Sequence, residues 1–122
     1  MLNEERNVGG ALYAAISNAI VAIVHEYTGR GPTRARTSIR DDVVVVMLQE
    51  TMLKAERSLI EDGKADLVAH MRRSFQQTMR ADMSAAVEEL TGRDVIAFMS
   101  DSHLEPDYSA EVFVLAPEPA SG

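Results

Sequence analysis

The sequence predicts an α+β fold in the order helix-strand-helix-helix-strand-strand, with the helices packed on a small, three-stranded, largely antiparallel sheet. Three observations lead there. Two long stretches carry apolar residues at helical spacing; a run of four valines and two later segments have the length and β-branched content of strands; and glycine or proline separates one stretch from the next.

In the first stretch, Leu12, Ile16, Ile20, Ile23 and Tyr27 follow a helical stripe, and the opposite side carries Ala14, Ala15, Val21 and Ala22 instead of charges. Such a helix is expected to be covered on more than one side, and a second subunit would supply the extra cover, so a homodimer is expected. Gly29 is placed to end the helix and Pro32 to prevent its resumption. The segment after it, through Arg40, reads as a loop or irregular lead-in. "DDVVVVML" then reads as a strand, and four valines without alternation predict burial on both faces. "ETMLKAERSLIEDG" reads as a short helix with Thr51 as its cap and Gly63 as its stop.

The longest helix is expected from Lys64 to Leu90, with Leu67, Val68, Met71, Phe75, Met79, Met83, Ala86, Val87 and Leu90 on one face and Arg72, Arg73, Gln76, Arg80 and Glu89 largely off it. Gly92 ends it. "RDVIAFMSD" and "SAEVFVLAP" follow as two strands of a hairpin joined by "SHLEPDY", and residues 117–122 form a tail without core residues, leaving residues 1–116 as one domain. Strand-helix-helix-strand-strand is shared with KH-type RNA-binding modules. "EDGKAD" in the place of their phosphate-clamping loop has one glycine, with Asp62 and Asp66 beside it, which opposes a phosphate backbone.

Composition narrows the function classes. With a net charge of −7, the chain has no bulk attraction for nucleic acid or anionic lipid. The absence of cysteine removes disulfides, thiolate catalysis and thiolate-ligated metal, and fits a cytoplasmic location. The apolar run "ALYAAISNAIVAIV" is broken by Ser17 and Asn18 and falls short of the about 20 residues a membrane span needs, so no direct membrane insertion is expected.

Against this acidic background, four arginines and no carboxylate lie between Arg30 and Arg40, a local charge of +4 that leaves −11 for the rest of the chain. Guanidinium forks match the oxygens of phosphates and carboxylates, and a glycine such as Gly31 lets backbone amides approach an anion. Arg30, Gly31, Arg34, Arg36 and Arg40, with Arg72 and Arg73 facing them, are therefore the candidate site for a small anion or an acidic partner surface. The alternative is that these arginines pair with carboxylates of the fold, including Asp41, Asp42 and those of the long helix. "GRGPTRAR" lacks the lysine-serine/threonine end of a phosphate-binding loop. His25, His70 and His103 are far apart in sequence, no nucleophile motif is present, and the acidic turn around His103 lacks the ligand spacing of a calcium loop. No catalytic residue, metal site or cofactor is expected. Met47, Met52, Met71, Met79, Met83 and Met99 read as core filler.

The blocks "YTGRGPT", "KAERSLIEDG", "MRRSFQ", "VEELTGRDVIAFMSD" and "PD…EVFVL", in this order between about Gly10 and Leu115, resemble the MpsC-like family of small bacterial proteins, named for a sodium-translocating, membrane-potential-generating system. The resemblance implies a link to ion or inorganic-carbon uptake and supplies no catalytic residues. Together with the residues themselves it suggests a noncatalytic binding or regulatory protein, an accessory to a membrane complex. The alternatives are a structural subunit that docks through its apolar first helix, and an enzyme acting on an anionic small molecule.

Overall fold

The computed structural model describes residues 2–118, with side chains described from residue 9. The last four residues of the expected tail lie outside the described part. Seven elements follow one another: α1 (Leu2–Thr28), β1 (Arg34–Arg40), β2 (Val43–Gln49), α2 (Lys54–Glu61), α3 (Ala65–Thr91), β3 (Val95–His103) and β4 (Tyr108–Leu115). The sheet has four strands in the order β1-β2-β4-β3, antiparallel throughout. The expected class is right; the expected three strands are corrected to four and the expected order to helix-strand-strand-helix-helix-strand-strand.

The additional strand is the arginine segment. Its residues alternate in exposure, with Arg34, Arg36, Ser38 and Arg40 open and Ala35, Thr37 and Ile39 half-buried, which is the period of two that a half-covered edge strand requires. The charge of the segment hid that alternation. Arg40 pairs with Val43 across a two-residue turn, and Asp41 sits there at φ 55°, a left-handed conformation that a short polar side chain tolerates.

Helices cover one face of the sheet. Ile16, Ile20 and Val24 of α1 and Met79, Met83 and Val87 of α3 meet Val44, Val46 and Leu48 of β2 and Phe113 and Leu115 of β4 in a single core. Phe98 lies at its edge, with its ring centroid 5.0 Å from that of Phe113. The valine run is therefore buried on one side only: Val44 and Val46 are inaccessible, whereas Val43 and Val45 are half-buried on the face away from the helices. The expectation of two buried faces is corrected.

Two helix stripes are also corrected. On α1 the chain itself buries one stripe, Ile16, Ile20 and Val24, while Tyr27 is exposed and Ala14 and Ala22 face outward, so no second cover comes from the described residues. Residues Gly9–Thr28 do reach the length and mean hydropathy, 1.2, of a membrane span, contrary to the sequence estimate, but this segment supplies three core residues. On α3 the buried stripe is Val68, Arg72, Gln76, Met79, Met83 and Val87, while Leu67, Phe75 and Leu90 are exposed. Arg72 and Gln76, expected off the face, lie in its middle.

The helix ends follow the glycines. Gly29, Gly63 and Gly92 have φ of 78°, 78° and 69°, and the Gly92 N–H donates to Glu88 O at 2.8 Å. Thr51 is not the cap of α2. Leu53 holds that position, and its N–H donates to the Glu56 carboxylate at 2.8 Å.

Candidate functional site

The structure divides the expected site residues into three groups. Arg34, Arg36 and Arg40 lie in line on the exposed side of β1, because residues two apart on a strand share a face. Among the described residues none of the three forms an ion pair with a carboxylate. Asp42, which the fold-pairing alternative assigned to them, is taken by Arg93 just after the end of α3. Arg30 stands apart in the loop after α1 and donates from Nη1 to Met52 O at 3.0 Å. Gly31 is small for a packing reason: a Cβ there would meet Val21 Cγ1 at 3.3 Å and His25 Cβ at 3.6 Å.

Arg72 is on the helix side of the sheet, with 9% of its side chain exposed. Its Nε and Nη2 donate to Glu56 Oε2 and Oε1 at 3.0 and 3.1 Å, a two-point pair, and its Nη1 donates to Thr51 Oγ1 at 2.8 Å. These bonds occupy the guanidinium and tie α2, α3 and the β2–α2 linker together. Arg73, the next residue, is exposed and lines a shallow groove with Gln77, Arg80 and Phe98. Arg72 and Arg73 therefore do not face the β1 arginines.

Register places the β1 arginines beside apolar neighbours. Arg36 is directly across from Met47, Ser38 from Val45 and Arg40 from Val43; β4 continues these rows with Ala110, Val112 and Val114, and β3 with Asp101, Met99 and Ala97. No described element covers this face. Its β2 and β4 members are half-buried by one another alone, and Met99 is 53% exposed, so Met99 is not core filler as the sequence suggested. The result is an apolar band edged by guanidinium groups on β1 and by Asp101 on β3.

The covered face of β4 is the more polar one. Ser109 and Glu111 point toward the helices while Ala110, Val112 and Val114 point outward. Glu111 is 2% exposed, and among the described residues neither its Oε2 nor Ser100 Oγ has a hydrogen-bond partner. Burial pushes its carboxyl up to about 7, and the Ser100 hydroxyl nearby opposes that shift without closing a bond. With Thr51, Arg72, Gln76, Ser102 and Ser109 it lines a cavity of about 50 Å³. Sequence reasoning missed this polar interior, although the alternation of "SAEVFVL" put Glu111 in phase with Phe113 and Leu115.

A larger open groove, about 900 Å³, lies at the end of the sheet between Arg34, Glu50, Arg57, Glu61 and the β3–β4 turn. Its charges are mixed. Asp107 in that turn accepts from the Thr51 hydroxyl at 3.1 Å and the Met52 N–H at 2.7 Å, so it serves the fold. Among the described residues no three histidine or carboxylate side chains gather as a metal site.

Chemically, the β1 row presents fixed positive charge beside apolar surface, which suits recognition of an acidic surface or an oxyanion. Comparison with known proteins gives one family match: residues 9–117 match the family described as Na+-translocating membrane potential-generating system (MpsC). The chain belongs to that family, since the match covers nearly its whole length. No curated protein and no solved structure matches it.

Proposed function

We propose that this member of the MpsC family is a noncatalytic binding component of a sodium-linked or inorganic-carbon uptake system, and that the β1 arginine row receives an anionic ligand or an acidic partner surface. One observation carries the reading: Arg34, Arg36 and Arg40 stand in line on an uncovered sheet face, with no carboxylate paired to them among the described residues. In a protein of net charge −7 this aligned row is a local patch of the opposite sign, and such a patch attracts anionic groups. Family membership supports the link to a membrane-potential system.

The test is thermal unfolding of the chain and of Arg34→Ala/Arg36→Ala with phosphate, sulfate, bicarbonate, small dicarboxylates and an acidic peptide. A ligand at about 100 times its Kd raises stability by roughly 2.7 kcal/mol, several degrees for a domain of this size. The expected outcome is a shift with at least one of these anions that the double variant loses. Equal responses from both proteins would remove the arginine row from the account.

A second reading rests on α1. Ala11, Ala14, Asn18 and Ala22 are exposed on one side of a helix with enough apolar content to meet a hydrophobic partner. Here α1 would dock on a subunit of a membrane complex. Ala14→Glu and Ala22→Glu would abolish co-purification with that subunit, whereas Arg36→Ala would leave it intact.

A further inference from the structure

We propose that the acidic partner surface for the β1 arginine row is the β3 edge of a second copy of this chain, and that two copies stack their open sheet faces into a dimer. The proposal rests on the reading of that row as a recognition surface and names its partner.

Val43, Val45 and Met47 of β2 and Ala110, Val112 and Val114 of β4 form the centre of the open face, continued by Ala97 and Met99 of β3. In the same strand β4, serine and glutamate point to the covered side. A face that is left more apolar than part of the interior is expected to meet another apolar surface.

Charge then selects the occupant. β1 carries Arg34, Arg36 and Arg40 at one edge, and β3 carries Asp101 at the other, with Asp94 just before its start. Sheets that stack face to face keep their strands within about 30° of one another. A twofold axis across the strands would set one arginine row over the other and repel. An axis parallel to the strands, through the sheet centre between β2 and β4, sets β1 of one copy over β3 of its partner.

Under that second axis each cross-strand row meets itself reversed. The row Arg36-Met47-Ala110-Asp101 lies over Asp101-Ala110-Met47-Arg36 of the second copy. Both arginines then face aspartates, and both methionines lie over alanines, a large residue against a small one. The next row, Ser38-Val45-Val112-Met99, places valine over valine at the centre. Arg40, one row further, comes over Ala97, with Asp94 beyond it just before β3, and Arg34 at the other end of its strand comes over His103. The same patch serves both copies, as a closed twofold contact requires. A deep apolar centre with charged pairs at two rims is the usual anatomy of an interface.

Sedimentation or light scattering of the wild-type chain, of Arg36→Asp and of Asp101→Arg tests this. The wild type is expected at about twice the monomer mass of 13.4 kDa. Each single variant is expected as a monomer with unchanged circular dichroism, because like charges then face one another at both rims. An equimolar mixture of the two variants is expected to return to dimer mass. In the mixed dimer the carboxylate introduced in one variant meets the guanidinium introduced in the other, and the remaining rim pairs wild-type partners. Ser38→Cys/Met99→Cys gives a second readout that tolerates changes in stability, because the chain has no cysteine of its own. Those positions lie on opposite edges of one sheet, too far apart to bridge within a chain, so oxidation is expected to yield a covalent dimer.

A monomeric wild type, a dimer retained by both single variants, or a mixture that stays monomeric would overturn the proposal. If the wild type is monomeric yet its anion-dependent thermal shift disappears in Arg34→Ala/Arg36→Ala, the second copy is the wrong partner and the recognition row stands. If that shift is absent as well, both readings fall.

Discussion

Two carboxylates in this interior, Glu56 and Glu111, have opposite circumstances. Glu56 is met at two points by Arg72, so removal of either partner leaves an uncompensated buried charge. Arg72→Ala is expected to lower stability by about 3–5 kcal/mol, whereas Arg72→Met/Glu56→Met loses much less than the sum of the single changes; denaturant unfolding of the cycle checks this. Among the described residues Glu111 has no cationic partner, and one of its oxygens has no hydrogen-bond partner. Its pKa is about 7 in the folded chain against an ordinary 4.5, so the folded state holds the proton more tightly. The associated stability is present below about pH 4.5 and is lost as pH rises through 7, a difference of roughly 3 kcal/mol at pH 8. Glu111→Gln, which stays neutral, is expected to be more stable than the wild type at pH 8, and the gap should close as pH falls toward 5. An equal difference at both pH values would mean that Glu111 is not buried as described.

Among the elements, those with strong periodicity were legible in the sequence and those with mixed chemistry were not. Both long helices, the valine strand, the final hairpin and the glycine stops at Gly29, Gly63 and Gly92 followed from spacing and backbone freedom alone. A Cβ at Gly92 would meet nothing within 4 Å, so Gly92→Ala isolates the left-handed backbone and is expected to lower stability by about 1 kcal/mol in a melting experiment. β1 was missed because its exposed positions are arginine and serine and only Ile39 of its covered positions is strongly apolar, which reads as a charged loop when only hydrophobic contrast is considered. The α3 stripe was misjudged for a related reason. Phe75 outranks Arg72 by hydrophobicity, but the Glu56 carboxylate, supplied by another helix, makes burial of Arg72 favourable. Residue type identified the arginine cluster as unusual; only the register of the sheet showed that Arg34, Arg36 and Arg40 share a face while Arg72 lies on the other.

At the scale of the whole molecule, the helices leave one side of the sheet to itself, and that side carries three aligned arginines without a carboxylate partner among the described residues, the most regular apolar rows and an acid at the far edge. The chain belongs to the family described as Na+-translocating membrane potential-generating system, and the helix that could meet a membrane by composition supplies core residues to the fold. The open sheet face is thus the proposed recognition surface. Methionine oxidation followed by mass spectrometry tests it most directly, because Met47 and Met99 lie on that face while Met79 and Met83 lie in the core. Met99 is expected to oxidise slowly in concentrated protein and many times faster on dilution, with Arg36→Asp fast at both concentrations and Met83 slow throughout. Fast oxidation of wild-type Met99 regardless of concentration would contradict a recognition face that a second copy covers.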